Sequence, residues 1–187
     1  GCFPVVATGV GAGAAMVSDR RTSGTYVEDE GIEWKVAARI RERLGDSAHV
    51  NVTSYNRNVL LTGEAPSEAV RGQLDGIVAG VEHVRGVINE VAIAPNSSLT
   101  ARGNDTLITS NVKARMIDAG TVTAHNIKVV TEANVVFLLG IVTRSEADAA
   151  AEVARTSQGV RKVVRVFEYI SDEEARRLDN PTGARRN

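Results

Sequence analysis

Three histidines, one cysteine and a run of small residues carry most of the chemistry this chain could do, and their spacing limits it. His49, His83 and His125 stand far apart in the sequence. They form no His-x-x-x-His pair and no Cys–His arrangement, so no metal site is expected of them. Serines are plentiful, but no Gly-x-Ser-x-Gly elbow is present. Gly9, Gly11 and Gly13 have the look of a phosphate loop, yet no strand precedes them and no Lys-Ser/Thr follows. The acidic residues fall on amphipathic helix faces or beside arginines, where solvated surface is the default. Asn51-Val52-Thr53 and Asn104-Asp105-Thr106 match a glycosylation pattern, but one is read as strand and the other as a helix cap. No catalytic residue, metal or cofactor is implied, and the chain is read as a non-enzyme.

Cys2 is the exception. In bacterial lipoprotein precursors a small residue followed by cysteine ends the signal peptide, and that cysteine becomes the lipidated N-terminus. Gly1-Cys2-Phe3 fits this order; the plainer reading is a free thiol. Phe3–Val17 is apolar but Gly- and Ala-rich, and falls short of the ~20 residues a membrane-spanning helix needs. A flexible tether at a membrane surface is expected, with acyl chains on Cys2 anchoring it at ~0.8 kcal/mol per buried CH₂.

The elements that must position everything else come in duplicate. His49–Gly63 (HVNVTSYNRNVLLTG) aligns without a gap on Asn126–Gly140 (NIKVVTEANVVFLLG). Upstream, Asp29, Ile32 and Val36 fall on Asp105, Ile108 and Val112; downstream, Val84-Arg85 falls on Val160-Arg161. A repeat of roughly 65 residues makes two small domains rather than one. Each is near the lower size limit for independent folding, so the two are expected to lean on each other. The net charge is −1 and aromatics make up 4% of the 187 residues, which gives nucleic acid neither a basic field nor stacking platforms. A single cysteine excludes an internal disulfide.

In unit one, Ile32, Val36, Ile40 and Leu44 recur every four residues and predict a helix stopped at Gly45-Asp46. Strands are expected at Val50–Tyr55 and Val59–Glu64 around an Asn56-Arg57-Asn58 turn. A second helix opens at Pro66-Ser67-Glu68 and runs to about Val81, and Val84–Ile93 is the third strand. Unit two repeats the order. Asn104-Asp105-Thr106 caps a helix to about Ala119, strands cover Ile127–Thr131 and Val135–Val142, Ser145–Ser157 is helical, and Val160–Ile170 is the last strand. The fold class is therefore α+β: two tandem α-β-β-α-β domains, each a three-stranded mixed sheet with both helices on one face. The divisions are tether 1–27, first domain 28–94, linker 95–103, second domain 104–170 and a disordered tail 171–187.

The copies also differ. Val135, Phe137 and Leu139 make the hairpin strand of unit two apolar on its second face, where unit one is more polar. That face needs a cover: unit one, a neighbouring subunit, or a lipid or protein partner. On the first helix of unit two, Leu107 is expected in the first turn, off the buried stripe, where unit one has Gly31. With Lys113, Arg115 and Arg102 nearby, it could enter lipid headgroups while backbone N–H groups meet a phosphate; a lone exposed leucine is the simpler reading.

Taken together, the initial Gly-Cys, the small-residue tether, Asp-Arg-Arg-Thr-Ser-Gly, the hairpins ending Leu-Thr-Gly and Leu-Leu-Gly, and the Asn-Asp-Thr of unit two resemble the dual-BON outer-membrane lipoprotein family. The resemblance covers nearly the whole chain except the C-terminal tail. It implies a non-enzymatic lipoprotein on the periplasmic face of a Gram-negative outer membrane, supporting envelope integrity. It also implies binding of anionic phospholipid, of the phosphatidylglycerol or cardiolipin type, by the first helix of the second BON domain, against the inner leaflet. By position the contact residues would be Asp105, Thr106, Leu107, Thr109, Ser110, Val112 and Lys113. Family members often carry Trp at the place of Leu107. Phe3 is not the Asp that signals inner-membrane retention in enteric bacteria. A protein-binding adaptor for an envelope assembly machine or a cell-wall hydrolase regulator, docking through Val135, Phe137 and Leu139, is the alternative.

Overall fold

The computed structural model describes residues 19–120 and 124–181. Within them, α1 covers Ser23–Leu44, with the Thr22 hydroxyl accepting from the Thr25 N–H as its N-cap. Its inward stripe is Ile32, Val36 and Ile40, joined by Asp29 one turn earlier. Gly45, at φ 55°, ends it by returning its N–H to the Arg41 carbonyl.

The hairpin that follows shows why the repeat carries an aspartate. β1 (His49–Tyr55) and β2 (Asn58–Ala65) pair antiparallel, with Tyr55 opposite Asn58. The two residues between them, Asn56 and Arg57, both have positive φ, at 49° and 65°. Such a turn matches strand twist but strains non-glycine residues. Asp29 holds it: its carboxylate accepts from the N–H groups of Asn56 at 2.8 Å and Arg57 at 2.7 Å, and from the Ser54 hydroxyl at 2.7 Å. In unit two, β5 (Ile127–Glu132) and β6 (Val135–Val142) flank Ala133 and Asn134, at φ 48° and 65°. Asp105 accepts from both of their N–H groups at 2.9 Å. The repeated glycines have an equally local reason. A Cβ on Gly63 would collide with the His49 carbonyl oxygen, and one on Gly140 would lie 2.5 Å from that of Asn126.

Each unit then crosses over. α2 (Glu68–Ala79) leads to β3 (Gly86–Asn89) and β4 (Ala92–Ile93), both parallel to β2. The expected third strand of unit one is thus broken at Glu90 and Val91, with the Glu90 N–H still reaching the Leu61 carbonyl. α4 (Arg144–Arg155) leads to an unbroken β7 (Lys162–Tyr169), parallel to β6 over eight residue pairs. Ile32, Val36, Leu61, Leu74 and Val78 are buried together in one helix–sheet core, and Ile108, Val112, Leu138, Ala150 and Ala154 in the other. The fold is α+β, two mixed sheets each backed by its own helices.

A third apolar cluster joins the units. Phe137, Leu139 and Ile141, on the β6 face turned from its own helices, pack against Tyr55 and Leu60 of unit one. This sheet-to-sheet contact covers Phe137 and Leu139, and the half-buried Val135 lies at its edge.

Three expected boundaries are corrected. The helix read as starting at Asn104 is α3, Leu99–Ala119, capped by Ser98; Asn104-Asp105-Thr106 lies inside it and the linker is correspondingly shorter. The tail read as disordered contains α5, Asp172–Asp179, capped by Ser171, with Ala175 buried and Leu178 against the inter-unit cluster. The tether read as running to residue 27 is fixed by residue 20. All five Arg20 donors are used: two to Glu146 at 2.7 and 2.8 Å, two to Asp179 at 2.9 Å and one to the Ile141 carbonyl at 2.9 Å. Arg21 is paired with Asp19 and Asp29 and lies over the rings of Tyr26 and Tyr55. The sequence showed these as a polar linker because charge alone does not announce burial. Cys2 and the rest of the small-residue segment lie outside the described residues.

Candidate functional site

The helix α3 divides the residues expected to touch lipid into two sets. Asp105 and Val112 face inward and are buried. Asp105 is spent on the β5–β6 turn and Val112 on the core, so neither is presented to a ligand, which corrects the sequence reading of both. Thr109 is half-buried and donates to the Thr131 hydroxyl at 2.7 Å. Thr106, Leu107, Ser110 and Lys113 are exposed. The hydroxyls of Thr106 and Ser110 are returned to the carbonyls of Arg102 and Thr106, each at 3.0 Å. Leu107 is 71% exposed and borders a shallow cleft of about 370 Å³ with Asn111 and Gln158.

Because α3 begins at Leu99, Leu107 stands two turns inside it rather than at its start. The backbone N–H groups beside it are within the helix ladder, so they are not available to a phosphate. What replaces that arrangement is a longer apolar stripe. Leu99 is 83% exposed and Ile117 is 66% exposed. At 100° per residue both project within about 80° of Leu107, opposite the buried stripe of Ile108, Val112 and Met116. The stripe runs some ~27 Å along the helix. Lys113 flanks it, and its side chain borders a groove of about 550 Å³ between the units, where Arg21, Lys128 and Ile117 also lie. Arg115 is not part of this surface, because it closes the end of α4 by donating to the Val153 carbonyl and the Ser157 hydroxyl at 2.9 and 2.7 Å. Leu99 escaped the sequence reading through the misplaced helix start, which put it in a linker; Ile117 lay inside the expected helix and was not singled out.

Two further features were not anticipated. Trp34, on the outer side of α1, is 75% exposed and lies two turns from the exposed Val27. In addition, His49, Glu64 and Glu132 meet at the junction of the units. Sequence spacing argued against a metal only for neighbours along one element, and these three come from three different strands.

The fold defines a tandem α+β module whose second unit carries an exposed apolar stripe on α3. The chain belongs to the BON domain family, whose pattern matches residues 29–95 and 104–171. It is similar to the outer membrane lipoprotein DolP of Haemophilus influenzae, at 38% identity over 91% of this chain and 89% of that protein. It is also similar to a 21 kDa hemolysin of Actinobacillus pleuropneumoniae, at 37% identity over 81% of this chain and 79% of that protein. The osmotically-inducible protein Y of Escherichia coli is 28% identical over 83% of this chain and 80% of its own length.

Proposed function

We propose that this protein is an outer-membrane lipoprotein on the periplasmic face, acylated at Cys2, whose second BON domain binds anionic phospholipid along the exposed face of α3. Through that contact it supports envelope integrity, and it acts without catalysing a reaction. The observation that carries this reading is the stripe of Leu99, Leu107 and Ile117 beside Lys113, laid on a rigid helix. An apolar stripe with a cationic flank suits a helix lying in the headgroup layer, where buried apolar area and attraction to anionic lipid add. The lipidation and the location draw their support from the relative named an outer membrane lipoprotein. Thr106 and Ser110 add hydroxyls at headgroup depth, and Leu107 supplies apolar area without the interfacial preference of a tryptophan.

Flotation of the full chain carrying Cys2→Ser with liposomes tests this. The chain is expected to float with phosphatidylglycerol- or cardiolipin-containing vesicles, to remain below with neutral ones, and to be released by high salt. Failure to float with any vesicle at low salt overturns the reading.

A second reading, docking on an envelope protein, is favoured by one observation. Trp34 and Val27 form an exposed apolar patch on α1, and tryptophan is enriched among residues that dominate protein interfaces. The apolar face of Val135, Phe137 and Leu139 no longer serves this reading, since Phe137 and Leu139 are buried against unit one. Cross-linking to an envelope protein that is lost in Trp34→Ala and kept in Leu107→Asp would favour it.

A further inference from the structure

We infer that His49, Glu64 and Glu132 form a binding site for a divalent transition-metal cation of the zinc type at the junction of the two BON domains. The three side chains each offer one ligand atom, and these atoms lie within 4.8 Å of one another. His49 Nδ1 is 2.8 Å from a Glu64 oxygen and 3.9 Å from Glu132 Oε1. One imidazole and two carboxylates, with a position left for water, is a ligand set that zinc accepts, and bonds of ~2.0–2.1 Å to all three require the His49–Glu64 contact to open slightly and the His49–Glu132 separation to close.

An independent observation points to a missing ligand. Glu132 is 6% exposed, yet its Oε1 has no hydrogen-bond partner and is aimed at the space between the other two side chains. Its second oxygen accepts from the Asn51 amide at 2.6 Å. Glu64 is equally buried, and its oxygen accepts from His49 and from the Ser97 N–H at 3.2 Å. Among the described residues, neither carboxylate has an ion pair with an arginine or lysine. Two buried carboxylates this close repel, and only a proton or a cation relieves them.

The site has the supporting features a metal centre needs. Asn51 and Ser97 orient the ligands from outside, and Arg102 in turn donates to the Ser97 hydroxyl at 3.1 Å. A cleft of about 370 Å³ between the units reaches both Glu64 and Glu132 from solvent. None of the three ligands belongs to the repeat: by the alignment of the hairpins, His49 faces Asn126, Glu64 faces Ile141 and Glu132 faces Tyr55. Two come from unit one and one from unit two, so a bound cation would bolt the units together.

The test is zinc titration of the full, untagged chain, carrying Cys2→Ser throughout so that no thiol competes, read by calorimetry and by thermal melting. One zinc per chain is expected, with a rise in melting temperature at saturation. Affinity should fall about tenfold or more in Glu132→Gln and in His49→Asn, and should be unchanged in His83→Ala. Glu132→Gln keeps the Asn51 contact and removes a buried charge, so its metal-free melting temperature is expected to equal or exceed that of the parent. Absence of binding at about 100 µM zinc, an affinity weaker than ~5.5 kcal/mol would give, overturns the inference in favour of a shared proton. Binding that survives both Glu132→Gln and His49→Asn also overturns it, by placing the metal elsewhere.

Discussion

Asp29 and Asp105 show how one residue type, used twice, specifies a small fold. Each sits on the inward side of a helix and reaches across to the backbone of a hairpin turn, where two residues hold positive φ. Asn56, Arg57 and Asn134 tolerate that conformation in different degrees, and Ala133 has no side chain with which to ease it. Asp105→Ala should therefore destabilise unit two by about 1–3 kcal/mol, the worth of hydrogen bonds from the two turn N–H groups to a charged acceptor. Asp29→Ala should cost more, because Ser54 and Arg21 lose a partner as well. Urea unfolding followed by circular dichroism checks both. An unchanged midpoint in Asp105→Ala would mean that water holds the turn equally well. Asp29 and Asp105 were legible in the sequence as a matched pair. Their role was not, because a carboxylate that caps a distant turn has the same spelling as one that caps its own helix.

At the scale of elements, the sequence carried the periodic parts faithfully and the ends poorly. The stripe Ile108, Val112, Met116 is set by packing against one core, and a pattern of 3.6 residues reports that directly. Helix starts depend on a single capping side chain, and α3 offers Ser98 and Asn104 as rivals; the earlier one is used, its hydroxyl accepting from the Ala101 N–H. That six-residue difference between caps moved Leu99 out of the candidate site and put Leu107 at a helix terminus it does not occupy. The consequence is testable on the helix itself. Leu107→Asp and Ile117→Asp should each leave the melting temperature nearly unchanged, within the ~0.5 kcal/mol usual for surface substitutions. Each should also sharply weaken flotation with anionic vesicles, and the pair should abolish it. Val112→Asp, one turn beyond Thr109 on the buried side, should unfold unit two outright. Loss of stability in Leu107→Asp would instead show that this leucine packs.

At the scale of the whole molecule, the two units are held by a buried apolar contact and by charges that sequence order scatters across the chain. Arg20 lies before α1, yet its guanidinium joins Glu146 at the start of α4 to Asp179 at the end of α5. Glu146 is also the closing residue of a capping box with Thr143. The hydrogen bonds from Arg20 are the main reason both carboxyls are held below their usual range. A carboxyl whose value is lowered on folding stabilises the fold above its unfolded value and loses that contribution as pH falls through the folded one. The clamp is therefore complete at neutral pH and releases as pH drops below the ordinary carboxylate values of 4.5 for Glu146 and 3.8 for Asp179. Arg20→Gln should cost roughly 1–3 kcal/mol at pH 7, less than a fully buried pair because both partners keep some exposure. The difference between parent and variant should shrink steadily as the medium is acidified below about 4.5, where the unfolded carboxyls take up protons that the folded ones still resist. The same substitution should free α5, so that amide exchange there rises while the core of unit one, which Arg20 does not touch, stays protected. A pH-independent loss would assign Arg20 to packing alone. No loss at all would mean that the sheet-to-sheet contact of Phe137 and Leu139 with Tyr55 and Leu60 suffices to join the domains.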